Sequence, residues 1–371
     1  MHLVIVGTCI VLLLLAVGWA ITRFYLCGAD LKAFDQSKDL AEASHWQHFS
    51  TGQFPNAEHQ AVVASLGGIV AALKGAPRSR HLSLLRAYMD NMHADRAFVA
   101  QFVPVDAGGV AAEWVIAPGV DSSRRTLYIH GGAWMMGSPR SHRAITSRFS
   151  EITGGVVLAI DYRLMPEHSR KAGIEDCRTA YQWMLEAGPQ GRVPATTVFV
   201  AGDSAGANLT LSLIAWVRDQ GWRAPDAVVA LSPPTDSTLG SPSLVNNIVT
   251  DAMLGPLFGK LARVPRTALL WFGWFQSRIR PSHPDVSPVF GDLRGLPPLL
   301  VQASNGEMLL DDSVRYVNKA LAAGSPVRLQ TWDHVVHVWH IFDPDLTEAR
   351  QAFEEIRKFL ASSNSGSALR P

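Results

Sequence analysis

The stretch Val198-Phe199-Val200-Ala201-Gly202-Asp203-Ser204-Ala205-Gly206-Ala207-Asn208-Leu209 restricts the fold more than any other part of the chain. An apolar, strand-like run passes through Gly-x-Ser-x-Gly directly into helix-forming residues. A serine at such a turn sits on a sharp, strained bend. Its hydroxyl lies at a helix N-terminus, where the dipole favours developing negative charge. The flanking glycines let strand and helix pass close together. The five-residue pattern alone recurs by chance in many sequences. Its strand-to-helix context makes Ser204 a candidate nucleophile rather than a serine in a structural turn.

The same texture repeats along the chain. Short apolar runs at Thr126–Ile129, Val156–Ile160, Val198–Ala201, Ala227–Leu231, Pro298–Ala303 and Val327–Trp332 alternate with helical patterns at Ser141–Ile152, Ile174–Glu186, Ala207–Gln220 and Ser313–Ala323. Such alternation predicts βαβ crossovers and a mainly parallel sheet covered by helices. Phe102–Val105 and Val110–Ile116 read as a hairpin through Asp106-Ala107-Gly108-Gly109, which brings the expected sheet to eight strands. Residues 31–100 read as helical and loop material, with helices at Ala61–Leu73 and Ser83–Met92. Residues 238–290 are rich in Pro, Gly and Trp and carry no strand pattern. These two segments are expected to form a cap over the strand ends of a catalytic body spanning 101–361. Asp345–Leu360 supplies a last helix, and residues 362–371 read as a flexible tail.

The N-terminus is a separate unit. From Leu3 to Leu26 only Thr8, Thr22 and Arg23 interrupt the apolar residues, and the run Leu3–Ile21 is long enough to cross ~30 Å of hydrocarbon as a helix. Residues 1–26 are therefore expected to be an uncleaved single-span anchor. The alternative is a signal peptide cleaved to release a secreted protein, but no Lys or Arg precedes the run and it exceeds the usual signal core. Arg23, Lys32 and Lys38 follow it, so the positive-inside rule favours a cytoplasmic catalytic domain. Elsewhere charge is uninformative: 33 Lys and Arg offset 32 Asp and Glu, which gives no reason to expect a nucleic-acid partner. Of Cys9, Cys27 and Cys177 only the last lies in the globular part, so no intradomain disulfide is expected. No zinc-type spacing is present.

Upstream of Ser204, Leu127-Tyr128-Ile129-His130-Gly131-Gly132-Ala133-Trp134 again follows an apolar strand. Consecutive glycines free backbone N–H groups to face a ligand. Two of them, with the N–H of Ala205, are suited to bind the oxyanion of a tetrahedral intermediate, each contributing about 3 kcal/mol in the transition state. A general base is expected after the last strand, where His334, His337 and His340 all qualify by spacing. The acid that orients it should follow the preceding strand, where Glu307, Asp311 and Asp312 are open. The chain order Ser, acid, His is that of α/β-hydrolases.

Taken together these motifs resemble the hormone-sensitive-lipase-like esterases of the α/β-hydrolase fold, over roughly residues 100–360. The landmarks are His130-Gly131-Gly132, Asp161-Tyr162-Arg163-Leu164-Met165-Pro166-Glu167-His168 with Asp176, and Gly202-Asp203-Ser204-Ala205-Gly206. The resemblance implies Ser204 as nucleophile, Gly131, Gly132 and Ala205 as oxyanion donors, and His337, followed by Val338-Trp339, as base. The family's His-Gly-Gly-Gly is departed from at Ala133. Its Asp-Pro-Leu-x-Asp reads Glu307-Met308-Leu309-Leu310-Asp311 here, which implies Glu307 as acid with Asp311 as the alternative. The implied substrates are small uncharged esters, hydrolysed through an acyl-enzyme with no metal or organic cofactor. Two alternatives come with the resemblance: an amide hydrolase like arylacetamide deacetylases, and a binding module like the gibberellin receptors, which lack the histidine.

Other residues invite milder readings. Asp236 is expected to cap a turn. Glu167 and Arg163 are expected to brace the oxyanion loop, and His45, His48 and His59 to be surface histidines. Trp271, Phe272, Trp274 and Phe275 are expected to pack within the cap, with an apolar wall of an acyl pocket as their secondary role.

Overall fold

The computed structural model of the protein describes residues 2–35, 45–50 and 56–367; Lys38 and residues 368–371 of the expected tail lie outside them. In chain order its main elements are α1 (His2–Ala20), β1 (Trp46–Phe49), α2 (Ala57–Gly75), α3 (His81–Asn91), β2 (Gln101–Asp106), β3 (Ala111–Ile116), β4 (Asp121–Ile129), α4 (Arg143–Thr153), β5 (Gly155–Ile160), α5 (Arg170–Glu186), β6 (Thr197–Asp203) and α6 (Ala205–Asp219). There follow β7 (Ala227–Leu231), α7 (Ser243–Asn246), α8 (Leu254–Phe258), α9 (Arg266–Ser277), β8 (Leu299–Ser304), α10 (Leu310–Ala322), β9 (Val327–Trp332) and α11 (Thr347–Ser367).

The strands form one sheet in the order β1-β9-β8-β7-β6-β4-β5-β3-β2. The β2–β3 and β3–β5 pairs are antiparallel; the rest are parallel. Eight strands lie where the apolar runs predict them. The ninth, β1, corrects the expected count and the helix-and-loop reading of residues 31–100. It pairs in parallel with β9, with Phe49 stacked on Trp332 at 4.2 Å and the Trp46 indole donating to Thr331 Oγ1. Trp-Gln-His-Phe is short and half polar, so this edge strand carries no clear alternation of its own.

Buried strands of a parallel sheet send alternate residues to opposite faces. On β7, Ala227, Val229 and Leu231 join the core under α4 and α11, while Val228 and Ala230 join the core under α6 and α10. The chain runs from β4 to β5 on one side, then returns past β4 to β6. The crevice between the carboxyl ends of β4 and β6 is thus the topological switch point, where ligands of doubly wound sheets bind. Ser204 follows β6, and His130-Gly131-Gly132 follows β4. Residues 238–290 hold α7, α8 and α9 and no strand. Helix α11 continues through Ser367, where a tail was expected. Residues 5–26 form the one helix among the described residues long and apolar enough to cross a membrane, with mean hydropathy 2.5; within it Thr22 and Leu26, near its end, are buried.

Candidate active site

Ser204 has φ 49° and ψ −121°, a conformation costing a non-glycine residue about 1–3 kcal/mol and tolerated where surrounding structure enforces it. Here its N–H donates to Leu231 O and its carbonyl accepts from Asn208 N. The turn is possible because position 206 is glycine: a Cβ there would lie 1.9 Å from Ile129 O. The bend aims Ser204 Oγ at His337 Nε2, 2.9 Å away, while His337 Nδ1 lies 2.9 Å from Glu307 Oε2. Glu307 and His337 are both buried. Burial alone would depress the imidazolium, but the hydrogen bond and charge of Glu307 outweigh it and raise the His337 pKa. Burial raises the Glu307 carboxyl as well, against the lowering effect of His337.

The other candidates separate cleanly. His334 is exposed. His340 is buried with Nε2 2.7 Å from Gln302 Oε1, and burial depresses it to about 3. Asp311 accepts from the Ser243 N–H of α7 and Asp312 from the N–H groups of Thr235 and Asp236; neither is joined to the histidine. Asp236 caps its own turn through Thr238 N and Gly240 N, as expected.

The oxyanion loop requires a correction. Gly131 N–H donates to Asp203 Oδ1 at 3.1 Å, so it is not available to a substrate. Gly132, Ala133 and Ala205 keep backbone N–H groups with no protein acceptor among the described residues. Ala133 and Trp134 both adopt positive φ, and a Cβ on Gly132 would lie 2.0 Å from Met136 O. The loop is therefore wound tightly, with its second and third N–H groups, not its first and second, left free.

Asp203 holds that winding in place. Buried between strand and loop, it also accepts from Tyr128 OH at 2.6 Å and pairs with His142 Nε2 at 3.3 Å. Burial opposes its ionisation, but His142 and Tyr128 prevail and keep its carboxyl below the ordinary range. Outside the loop, Arg86 of α3 donates to Met135 O and Met165 O and forms a two-pronged pair with Glu167. Arg163 pairs with Asp176 instead. Arg170 stacks over Trp134 at 3.7 Å. Sequence reasoning missed Asp203, His142, Arg86 and Arg170; a carboxylate between the motif's glycine and serine was the one available signal.

A second set of missed residues comes from the cap. Asn247 Nδ2 donates to the carbonyls of Asn305 and Glu307, Thr250 Oγ1 to Gly306 O, and Asp251 Oδ2 accepts from Met308 N. The insertion thereby grips the loop that carries Glu307. On α9, Trp271 and Trp274 are half-buried, whereas Phe272 and Phe275 are exposed.

A serine on a strand-to-helix bend at the switch point of a doubly wound sheet, facing a histidine, defines a serine hydrolase of the α/β type. Residues 126–341 match the family model described as alpha/beta hydrolase fold. An acetyl-hydrolase of Streptomyces hygroscopicus is 38% identical over 70% of this chain and 82% of its own length. A carboxylesterase/phospholipase of Mycobacterium tuberculosis is 32% identical over 72% and 70% respectively. The crystal structure of an esterase from the bacterial hormone-sensitive lipase family superposes with TM-score 0.73 at 33% identity, covering 84% of this chain and 99% of that one. The chain belongs to this hormone-sensitive-lipase-like family of α/β-hydrolases and is a serine carboxylic ester hydrolase.

Proposed function

We propose that the protein hydrolyses small uncharged carboxylic esters, of short to medium acyl length, through a Ser204–His337–Glu307 triad. The observation that carries this reading is the imidazole bridge: one ring nitrogen 2.9 Å from Ser204 Oγ, the other 2.9 Å from Glu307 Oε2. His337 takes the Ser204 proton as Oγ attacks the ester carbonyl, and Glu307 holds the tautomer and stabilises the imidazolium. The oxyanion is received by the free N–H groups of Gly132, Ala133 and Ala205. Collapse breaks the bond to the alcohol, which leaves with the proton from His337. Water, deprotonated by the same imidazole, attacks the acyl-enzyme, and the acid departs as Ser204 regains its proton.

Rates for p-nitrophenyl esters of increasing acyl length test both substrate and mechanism. Wild type should prefer short to medium chains, and Ser204→Ala should lose about 10⁴-fold or more in kcat. Equal rates in the two proteins would sink the mechanism.

The N-terminal helix is read as an anchor rather than a cleaved signal. In support, Trp271 of the cap donates to Thr22 Oγ1, and Ser282 to Tyr25 O, so the end of the helix is part of the folded enzyme. Arg23 and Lys32 after the span favour a cytoplasmic catalytic domain. Resistance of the full-length chain to carbonate extraction from membranes checks the anchor, and protease access in intact cells checks the side.

A further inference from the structure

Helix α9 covers the cap in a way water does not favour. Of its residues only Leu270 is buried. Phe272 and Phe275 are 65% and 55% exposed, and at this spacing they share one helix face with the exposed Ala268. Val245, Val249 and Leu261 of the same insertion are exposed too. The inner side of α9 packs on the end of the N-terminal apolar helix, through the Trp271–Thr22 bond and an edge contact of Trp274 with Tyr25 at 5.8 Å. Trp19 and Phe24 form a separate edge pair of rings, at 5.9 Å, near the end of the same helix. Aromatic residues gather in this way where a spanning helix leaves the hydrocarbon.

Charge points the same way. Residues 252–284 contain Lys260, Arg263, Arg266, Arg278 and Arg280 and no Asp or Glu. None of these five forms an ion pair among the described residues; Arg280 lies over the Tyr25 ring instead, at 5.6 Å. Unpaired cations flanking an exposed apolar helix are the signature of a helix lying in an anionic interface. A second copy of the chain docking on the same face would oppose like charges.

We propose that α9 and its basic flanks rest in the headgroup layer of an anionic leaflet, beside the exit of the N-terminal helix, so that the cap is the membrane-facing side of the enzyme. The proposal rests on the anchor reading above and adds a second, independent membrane contact. It makes bilayer-dissolved esters the substrates the cap is turned towards.

The full chain, placed in nanodiscs of phosphatidylcholine and phosphatidylglycerol whose acyl chains carry a diazirine, tests this by mapping photolabelled peptides. Label is expected in both 2–20 and 266–277, with the α9 label falling about threefold or more in Phe272→Ser/Phe275→Ser while the span label holds. Label in the span alone, or an α9 label indifferent to the substitutions, overturns the proposal and leaves the anchor standing. Label in neither segment removes the anchor reading along with it. On esters dissolved in phosphatidylglycerol vesicles the double variant should lose about fivefold in rate, with a water-soluble short ester hydrolysed within about twofold of wild type. Equal losses on both would mean a structural defect and overturn it, as would a dimer converted to monomer by the substitutions.

Discussion

Ser204 is flanked by two loops that are fixed from opposite directions. The oxyanion loop is held from within, by a buried carboxylate rising from the same strand as the nucleophile. Asp203 ties it to Tyr128 on β4 and to His142 before α4. The acid loop is held from above, by Asn247, Thr250 and Asp251 of the cap. One half of the site is thus built into the sheet, while the other depends on an insertion that could be altered without touching the body. Damage to the first should cost stability and rate together; damage to the second should cost rate while sparing most of the fold.

The largest effect expected within this comparison is on the proposed acid. Glu307→Gln leaves the geometry but supplies the wrong partner for the imidazole, and kcat should fall by about 10⁴-fold. With His337 as the proposed base, turnover requires it neutral, so kcat/KM should drop as pH falls through a pKa that Glu307 holds above the ordinary imidazole value. In the variant, burial acts without that opposition, and the residual acid limb should move to lower pH. A pH profile with an unmoved limb would mean another group orients the histidine.

Next comes Asp203→Asn, which breaks a buried pair. A loss of about 3 kcal/mol at neutral pH is expected, with kcat down about 10²-fold as the loop shifts. Because the folded carboxyl ionises below its ordinary range, its stabilisation is complete at neutral pH. It is lost as pH falls from about 4 through the folded value. Denaturant titrations across that window should show the acid-side loss in wild type and a shallower one in the variant.

Asn247→Ala removes two bonds to the acid loop and should lower kcat several-fold for about 1 kcal/mol of stability. A loss as large as that of Asp203→Asn would abolish the distinction between the two supports. The smallest effect is expected for Asp311→Ala, which frees only the Ser243 N–H; kcat should stay within about threefold of wild type. If Asp311→Ala abolishes turnover while Glu307→Gln does not, the acid has been misassigned.

The parts of this arrangement that were legible in the sequence are those with a local cause. Ser204 was readable because Gly202 and Gly206 are demanded by close backbone approach, and the strands because their apolar runs end in turn residues. His337 and Glu307 needed the family resemblance, since spacing alone left three histidines and three acids open. Gly131 was misjudged for a physical reason. Adjacent N–H groups look alike along a chain, and which one is consumed was decided by a carboxylate 72 residues away. Asn247 and Asp251 left no trace, because a Pro- and Gly-rich insertion has no periodicity from which contacts can be inferred. Strand β1 escaped because its place is conferred by Trp332 and Thr331 rather than by its own pattern.

That small strand has a consequence beyond the count. A long parallel sheet ends in rows of bare amide and carbonyl groups, which invite other chains to add on. At one end of this sheet Pro104 removes a donor from β2, the outermost strand. At the other, four residues of β1 pair with Leu329–Trp332 and are pinned there by a stacked ring. A protein lacking residues 45–50 would present β9 as an open template, and its failure would be seen first as self-association on storage, with the ester-cleaving centre still intact.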